Sequence, residues 1–114
     1  MKENVNKKQV IDWNTKENGQ LLSAFLMLKN KDEAERFLRD LMTEGEIEEF
    51  ARRLEAARLL SRDVQYLAII ERTGLSSTTV ARIAKWLKGP LGGYRIVLNN
   101  LHHHNHSKLE KGLS

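Results

Sequence analysis

The sequence predicts an all-α fold of six helices organised around a helix-turn-helix. Three observations carry that prediction. Apolar residues recur at helical spacing through most of residues 21–101. The chain has a single proline and no alternating Val/Ile/Tyr-rich run longer than a few residues. Between Tyr66 and Leu87 it reads Y-L-A-I-I-E-R-T-G-L-S-S-T-T-V-A-R-I-A-K-W-L, two short helical patterns joined at Gly74.

Taken in order, residues 1–18 are polar and of mixed charge. They are expected to form a flexible N-terminal arm that docks locally through Val10, Ile11 and Trp13. Leu21, Leu22, Phe25, Leu26 and Leu28 predict a short amphipathic helix, ended by Asn30-Lys31-Asp32, with Asp32 able to cap the next. In that second helix Ala34, Phe37, Leu38, Leu41 and Met42 form a full stripe at i, i+3, i+4, i+7 and i+8. Thr43-Glu44-Gly45-Glu46 has the capping-box pattern and opens the longest helix, about 44–60, with Ile47, Phe50, Ala51, Leu54 and Ala57 inward. Acids at its start and Arg58 near its end suit the helix dipole. After the motif, Lys88-Gly89-Pro90-Leu91-Gly92-Gly93 is a stop. A last helix over Tyr94–Leu101 shows Tyr94, Val97, Leu98 and Leu101 on one face, and residues 102–114 read as a disordered tail. The folded domain is thus placed at 19–101, the helix-turn-helix at about 65–88. Two short N-terminal helices with this much Leu and Phe need a partner surface, so a homodimer is expected.

Within the motif, Ile69 and Ile70 close an apolar face and Gly74 supplies the left-handed residue that ends the first helix without a Cβ clash. Leu75 plugs the corner, and Ser76 caps a second helix whose buried stripe is Val80, Ile83, Ala84 and Leu87. Ile70 stands where helix-turn-helix proteins usually carry Ala. The arrangement leaves Ser77, Thr78, Thr79, Arg82 and Lys85 on or near the open face, side chains suited to a helix lying in a DNA major groove. Arg82 and Lys85 are long donors for guanine edges or phosphates, and Ser77 and Thr78 reach at short range. Gln65 and Tyr66, at the start of the first helix of the motif, are placed against the DNA backbone; Arg62 and Lys88 add charge. Trp86 is expected on the inward side.

Charge is unevenly placed. Residues 1–57 carry 10 Lys/Arg against 12 Asp/Glu, net −2, and residues 58–114 carry 9 against 3, net +6, giving the chain its +4. The positive half holds the motif, the footprint of a polyanionic partner. The absence of cysteine excludes disulfide and thiolate chemistry, and no apolar stretch approaches the ~20 residues of a membrane span. A cytoplasmic protein without membrane association is expected. His102, His103, His104 and His106 lack interleaved Cys, Asp or Glu, so no metal site is assigned. No Ser/His/Asp or Cys/His set, phosphate loop or acid–base pair is visible, so an enzyme is not expected.

Together these features resemble the Trp repressor superfamily, and more closely its YerC/YecD-type group. The resemblance covers about Leu21 to Leu101. It rests on F-L-R-D-L-M-T-E-G-E-I at 37–47, R-R-L-E-A-A-R-L-L at 52–60, T-G-L-S-S-T-T-V-A-R at 73–82 and G-P-L-G-G-Y at 89–94. It implies an intertwined six-helix homodimer, with two motifs reading a two-fold-symmetric duplex site, as a transcription regulator and specifically a repressor. It also implies an effector pocket between the long helix and the recognition helix, at Arg53 and Arg82, with Thr79 near the ligand and Thr43 at the opposite end. Ile83 and Trp86 replace small residues at the floor of that pocket, so bound tryptophan is not expected and no cofactor is assigned. An unknown small effector stays open, with Arg53 and Arg82 as carboxylate or phosphate clamps. The alternative reading is a dimeric protein-interaction adaptor without sequence-specific DNA binding.

Overall fold

A computed structural model describes residues 10–113, with side chains through Asn105. Among these residues there are six helices and no strand: α1 Lys16–Met27, α2 Lys31–Leu41, α3 Glu44–Ser61, α4 Tyr66–Thr73, α5 Ser77–Leu87 and α6 Gly93–Leu113. None is long and apolar enough to cross a membrane. The chain divides between Leu41 and Met42 into two compact units, where the sequence predicts one domain over 19–101.

In the first unit α1 begins inside the stretch expected to be a flexible arm. Thr15 is the reason: its side chain accepts from the Asn18 N–H at 3.1 Å and caps the helix. Asp12 orders the approach, accepting from the Asn14 N–H at 2.9 Å. The docking expected of Val10, Ile11 and Trp13 is not seen; all three are exposed. The remainder of the predicted arm, residues 1–9, lies outside the described residues. Asn30, not Asp32, caps α2: its side chain accepts from the Glu33 N–H at 2.9 Å, which places Asp32 within the first turn of the helix. The two helices meet through Phe25 and Phe37, edge to face with ring centroids 5.6 Å apart. Leu21, Leu22, Leu26 and Met27 remain exposed on α1.

In the second unit α3 is opened by the predicted capping box, Thr43 accepting from the Glu46 N–H and Glu46 accepting from the Thr43 N–H. The core lies against its second half: Ala56, Ala57 and Leu59 pack with Ile69 from α4, Leu75 from the turn, and Val80 and Ile83 from α5. The predicted inward stripe is therefore only partly correct, since Phe50 (44% exposed) and Ala51 face outward. Length explains this. The 18 residues of α3 span ~27 Å, whereas the 8-residue α4 spans ~12 Å, and the α4–α5 hairpin covers only one end.

The end of α3 is a Schellman motif. The Asp63 N–H bonds to the Leu60 carbonyl and the Val64 N–H to the Leu59 carbonyl, and Val64 packs on the same core as Leu59. Asp63 takes the left-handed conformation this requires, with φ 61°. Asp tolerates that region better than most residues, but glycine holds it without strain. Asp63→Gly is accordingly expected to raise stability by up to ~1 kcal/mol in urea unfolding, the relief of strain outweighing the added entropy of the unfolded chain. A loss of stability would mean that the Asp63 carboxylate contributes more than the strain costs.

The last helix departs most from expectation. The tail expected to be disordered over 102–114 continues α6 to Leu113, with Ser114 outside the described residues. No Pro or Gly interrupts residues 94–111, so nothing in the chain chemistry stops the helix at Leu101. Tyr94 and Leu98 pack on the core, whereas Val97 and Leu101 stay exposed.

Candidate nucleic-acid interface

The turn between α4 and α5 is stitched by its own side chains. Gly74, at φ 75°, donates its N–H to the Ile70 carbonyl at 2.8 Å. Thr73 is buried, donates its hydroxyl to the Ile69 carbonyl at 2.7 Å and accepts from the Leu75 N–H at 3.2 Å. That fixes Leu75 in the corner, where it is buried as predicted. Ser76 then caps α5: its Oγ accepts from the Thr79 N–H at 3.1 Å, and its hydroxyl donates to Thr79 Oγ1 at 3.0 Å.

Burial divides α5 into two faces. Val80, Ile83, Ala84 and Leu87 are sealed in the core. Ser77, Thr78, Arg82 and Lys85 are exposed on the other side, and Thr79 is half-buried between them. Among the described residues Arg82, Lys85 and Lys88 take part in no ion pair. Lys88 is the C-cap of the helix and is exposed. Gln65 caps α4 without a side-chain hydrogen bond, which leaves its amide unspent beside the half-exposed Tyr66. Arg62 is exposed at the end of α3. The result is a short cationic helix, rigidly seated by one face, with a hydroxyl- and guanidinium-bearing face in solvent. Such a face can donate to phosphates and to base edges.

The residues assigned to an effector pocket are less cohesive. Thr43 spends its oxygen in the capping box. Arg53 donates from Nε to Glu49 Oε2 at 3.1 Å and lies over the Phe50 ring, 5.5 Å from its centroid. Burial pushes the Tyr94 phenol above its ordinary range, and the field of Arg53 partly opposes that. Ile83 is core, 1% exposed, but Trp86, expected inward, is 52% exposed. Trp86 and Leu87 are adjacent and point ~100° apart around the helix, and Leu87 takes the inward position.

One residue that shapes the end of α5 escapes sequence reasoning. Arg95, on α6, donates from Nη1 to the carbonyls of Leu87 at 2.6 Å and Gly89 at 2.9 Å, closing the free end of α5. Gly92 makes room for this: at φ 71°, a Cβ there would come within 3.0 Å of Arg95 Nη2. The only signal in the sequence is a basic residue shortly after the glycine-rich link.

Comparison with known proteins adds the family. The profile described as Trp repressor protein matches residues 16–102. The uncharacterised protein YerC of Bacillus subtilis strain 168 is 37% identical over 86 residues, 75% of this chain and 83% of its own. The crystal structure of a TrpR-like protein from Eubacterium eligens ATCC 27750 superposes with a TM-score of 0.73 at 37% identity, covering 79% of this chain and 93% of that one. A Staphylococcus aureus protein, described as a candidate Trp repressor, gives 0.73 at 25% identity over 82% and 96%. A family profile spanning most of the chain, together with these all-helical neighbours, shows that the protein belongs to the Trp repressor family and is of the YerC type.

Proposed function

We infer that this protein is a sequence-specific DNA-binding transcription regulator, a cytoplasmic repressor, that reads a two-fold-symmetric site as a homodimer. The observation that carries the reading is the division of α5, one face sealed in the core and the other presenting Ser77, Thr78, Arg82 and Lys85 to solvent. In this reading residues 77–88 lie in the major groove. Ser76 and Thr79 position the N-terminus of the helix, Gln65 and Tyr66 meet the backbone, and Arg62 and Lys88 add charge. The exposed apolar residues of α1 and the uncovered Phe50, Val97 and Leu101 support a second copy of the chain as the dimer partner. Half-sites then lie about one helical turn apart, ~34–36 Å.

The test is selection from genomic fragments with the purified protein, followed by anisotropy titration of the winning duplex and a scrambled one at two salt concentrations. A two-fold-symmetric winner, bound at least ~10³-fold more tightly than the scrambled duplex, is expected. Equal and salt-sensitive binding to both would reduce the protein to an electrostatic binder. No binding to either would favour an adaptor.

Tryptophan is not the expected effector. Arg53 is already engaged by Glu49 and Phe50, and Ile83 occupies the core side of the helix pair. Calorimetry with L-tryptophan is expected to give no saturable heat; a clear isotherm would show that the pocket opens after all.

A further inference from the structure

All four histidines of the chain fall at residues 102, 103, 104 and 106, outside both the core and the open face of α5. In an extended tail only sequence neighbours converge, and no Cys, Asp or Glu is interleaved among them. A helix brings different residues together. Because α6 runs unbroken from Gly93 to Leu113, residues four apart stand one above the other on one face. His102 and His106 have that spacing, and Glu110 follows one turn further along the same face. The family profile ends at residue 102, so this stretch of α6 lies at and beyond the edge of the family's segment.

Two histidines at i and i+4 are the spacing with which a single helix grips a zinc ion, because both imidazoles can reach one point beside the turn they share. Imidazole suits zinc, nickel and copper, whereas magnesium and calcium take oxygen ligands. His102, His103 and His104 are exposed. The rings of His102 and His103 meet edge to face with centroids 5.8 Å apart, which brings a further imidazole to the same turn. Among the residues whose side chains are described, no three metal-ligating groups form a cage. The arrangement is therefore an open chelate on a helix surface, its coordination completed by water. Residues 102 and 106 lie ~100–180° around the helix from Val97 and Leu101, off the face assigned to a second copy of the chain. Arg58, Arg62 and Arg95 share a groove with His102 and oppose a cation there, but Arg58 is paired with Glu55. Glu110 adds a negative charge to the helix on the far side of His106.

We propose that the one-turn spacing of His102 and His106 on α6 makes a binding site for a divalent transition-metal ion of the zinc, nickel and copper class. The two imidazoles chelate the ion, with His103 and Glu110 placed by register to join them. The metal ties one turn of α6 to the next, so its binding stabilises the helix beyond the family's segment. The site requires neither DNA nor a second copy of the chain.

The experiment titrates the untagged full-length protein with Zn²⁺, read by calorimetry and by NMR of the histidine rings and backbone amides. The chain has no cysteine and no histidine outside this tract, so a shifted imidazole signal reports this segment alone. Saturable binding is expected, with slowed amide exchange across residues 102–110, and Mg²⁺ should produce neither. His102→Ala and His106→Ala should each weaken Zn²⁺ at least ~10-fold, the lower end of the cost of losing a mere supporting partner of a metal ligand. His104 lies ~160° around the helix from both, so His104→Ala should bind like the parent. Asn105→Pro keeps all four histidines but breaks the helix between them, and should weaken Zn²⁺ as much as the loss of a ligand. The proposal is overturned if His104→Ala costs as much as His106→Ala, or if Asn105→Pro binds like the parent, because the tract then attracts metal by composition alone. It is equally overturned if Zn²⁺ binding does not saturate, or if Mg²⁺ binds as well.

Discussion

Arg82→Ala is expected to give a protein that melts like the parent but binds its selected duplex roughly 5- to 150-fold more weakly for each base that the arginine reads. The first half of that expectation follows from placement. Arg82 is exposed, joins no ion pair among the described residues, and sits opposite the buried stripe of α5, so truncation disturbs neither core nor cap. Exposed substitutions of this kind typically shift stability by less than ~0.5 kcal/mol. The second half follows from chemistry. A guanidinium offers a planar pair of donors that matches two guanine acceptors, which a methyl group cannot replace. Arg82→Lys separates the two modes. Lysine cannot reproduce a bidentate hydrogen bond to a base, whereas it largely preserves an interaction with phosphate. Alanine at a phosphate-binding position would instead weaken all duplexes alike and lower the salt slope by about one per protomer. An Arg82→Ala protein that binds like the parent would place the reading face elsewhere.

Ile69→Ala is expected to be the most destabilising single truncation of the α4–α5 hairpin, costing about 2–5 kcal/mol in urea unfolding. Ile69 is 0% exposed and touches the cluster shared by α3, the turn and α5. Its neighbour Ile70 is only partly buried at the edge of that cluster, so Ile70→Ala should cost distinctly less. The pair forms an internal control, because both changes remove the same atoms from adjacent residues. A reversal of the order would mean that α4 is rotated by about one residue, ~100°, from the position described. Adding a D63G background would recover only the small increment expected at the α3 terminus, since the two sites share no side chain.

Much of this arrangement is legible in the sequence, and the limits have physical causes. The capping box at Thr43, the Gly74 break, the Leu75 plug, the Ser76 cap and the Val80/Ile83/Ala84/Leu87 stripe all appear where residue type and spacing place them. Each depends on neighbours within one or two turns. The family itself is visible in the same runs of residues, and the comparisons show it. The misreadings concern partners that leave no residue signature. Thr73 and Arg95 bond to backbone carbonyls, which every residue possesses. Periodicity marks Phe50 and Ala51 as apolar positions of a helix, but not whether another element of the same chain reaches them. At Trp86 a large apolar residue three positions after Ile83 invites an inward assignment, yet it is Leu87, seven positions after Val80, that continues the buried stripe. The boundary of α6 is misplaced for the opposite reason: a polar, histidine-rich composition resembles a tail, yet contains nothing that terminates a helix before Gly112.

Helix α5 is fastened at both ends by groups outside its exposed face, the Ser76 hydroxyl at one terminus and the Arg95 guanidinium at the other. Its inner stripe supplies the remaining attachment. The exposed positions 78, 82 and 85 therefore carry almost no structural duty. Mutation can rewrite them one letter at a time without passing through an unfolded intermediate. In the proposed role, drift among related chains would redirect such a helix to new targets while the scaffold that holds it stays unchanged.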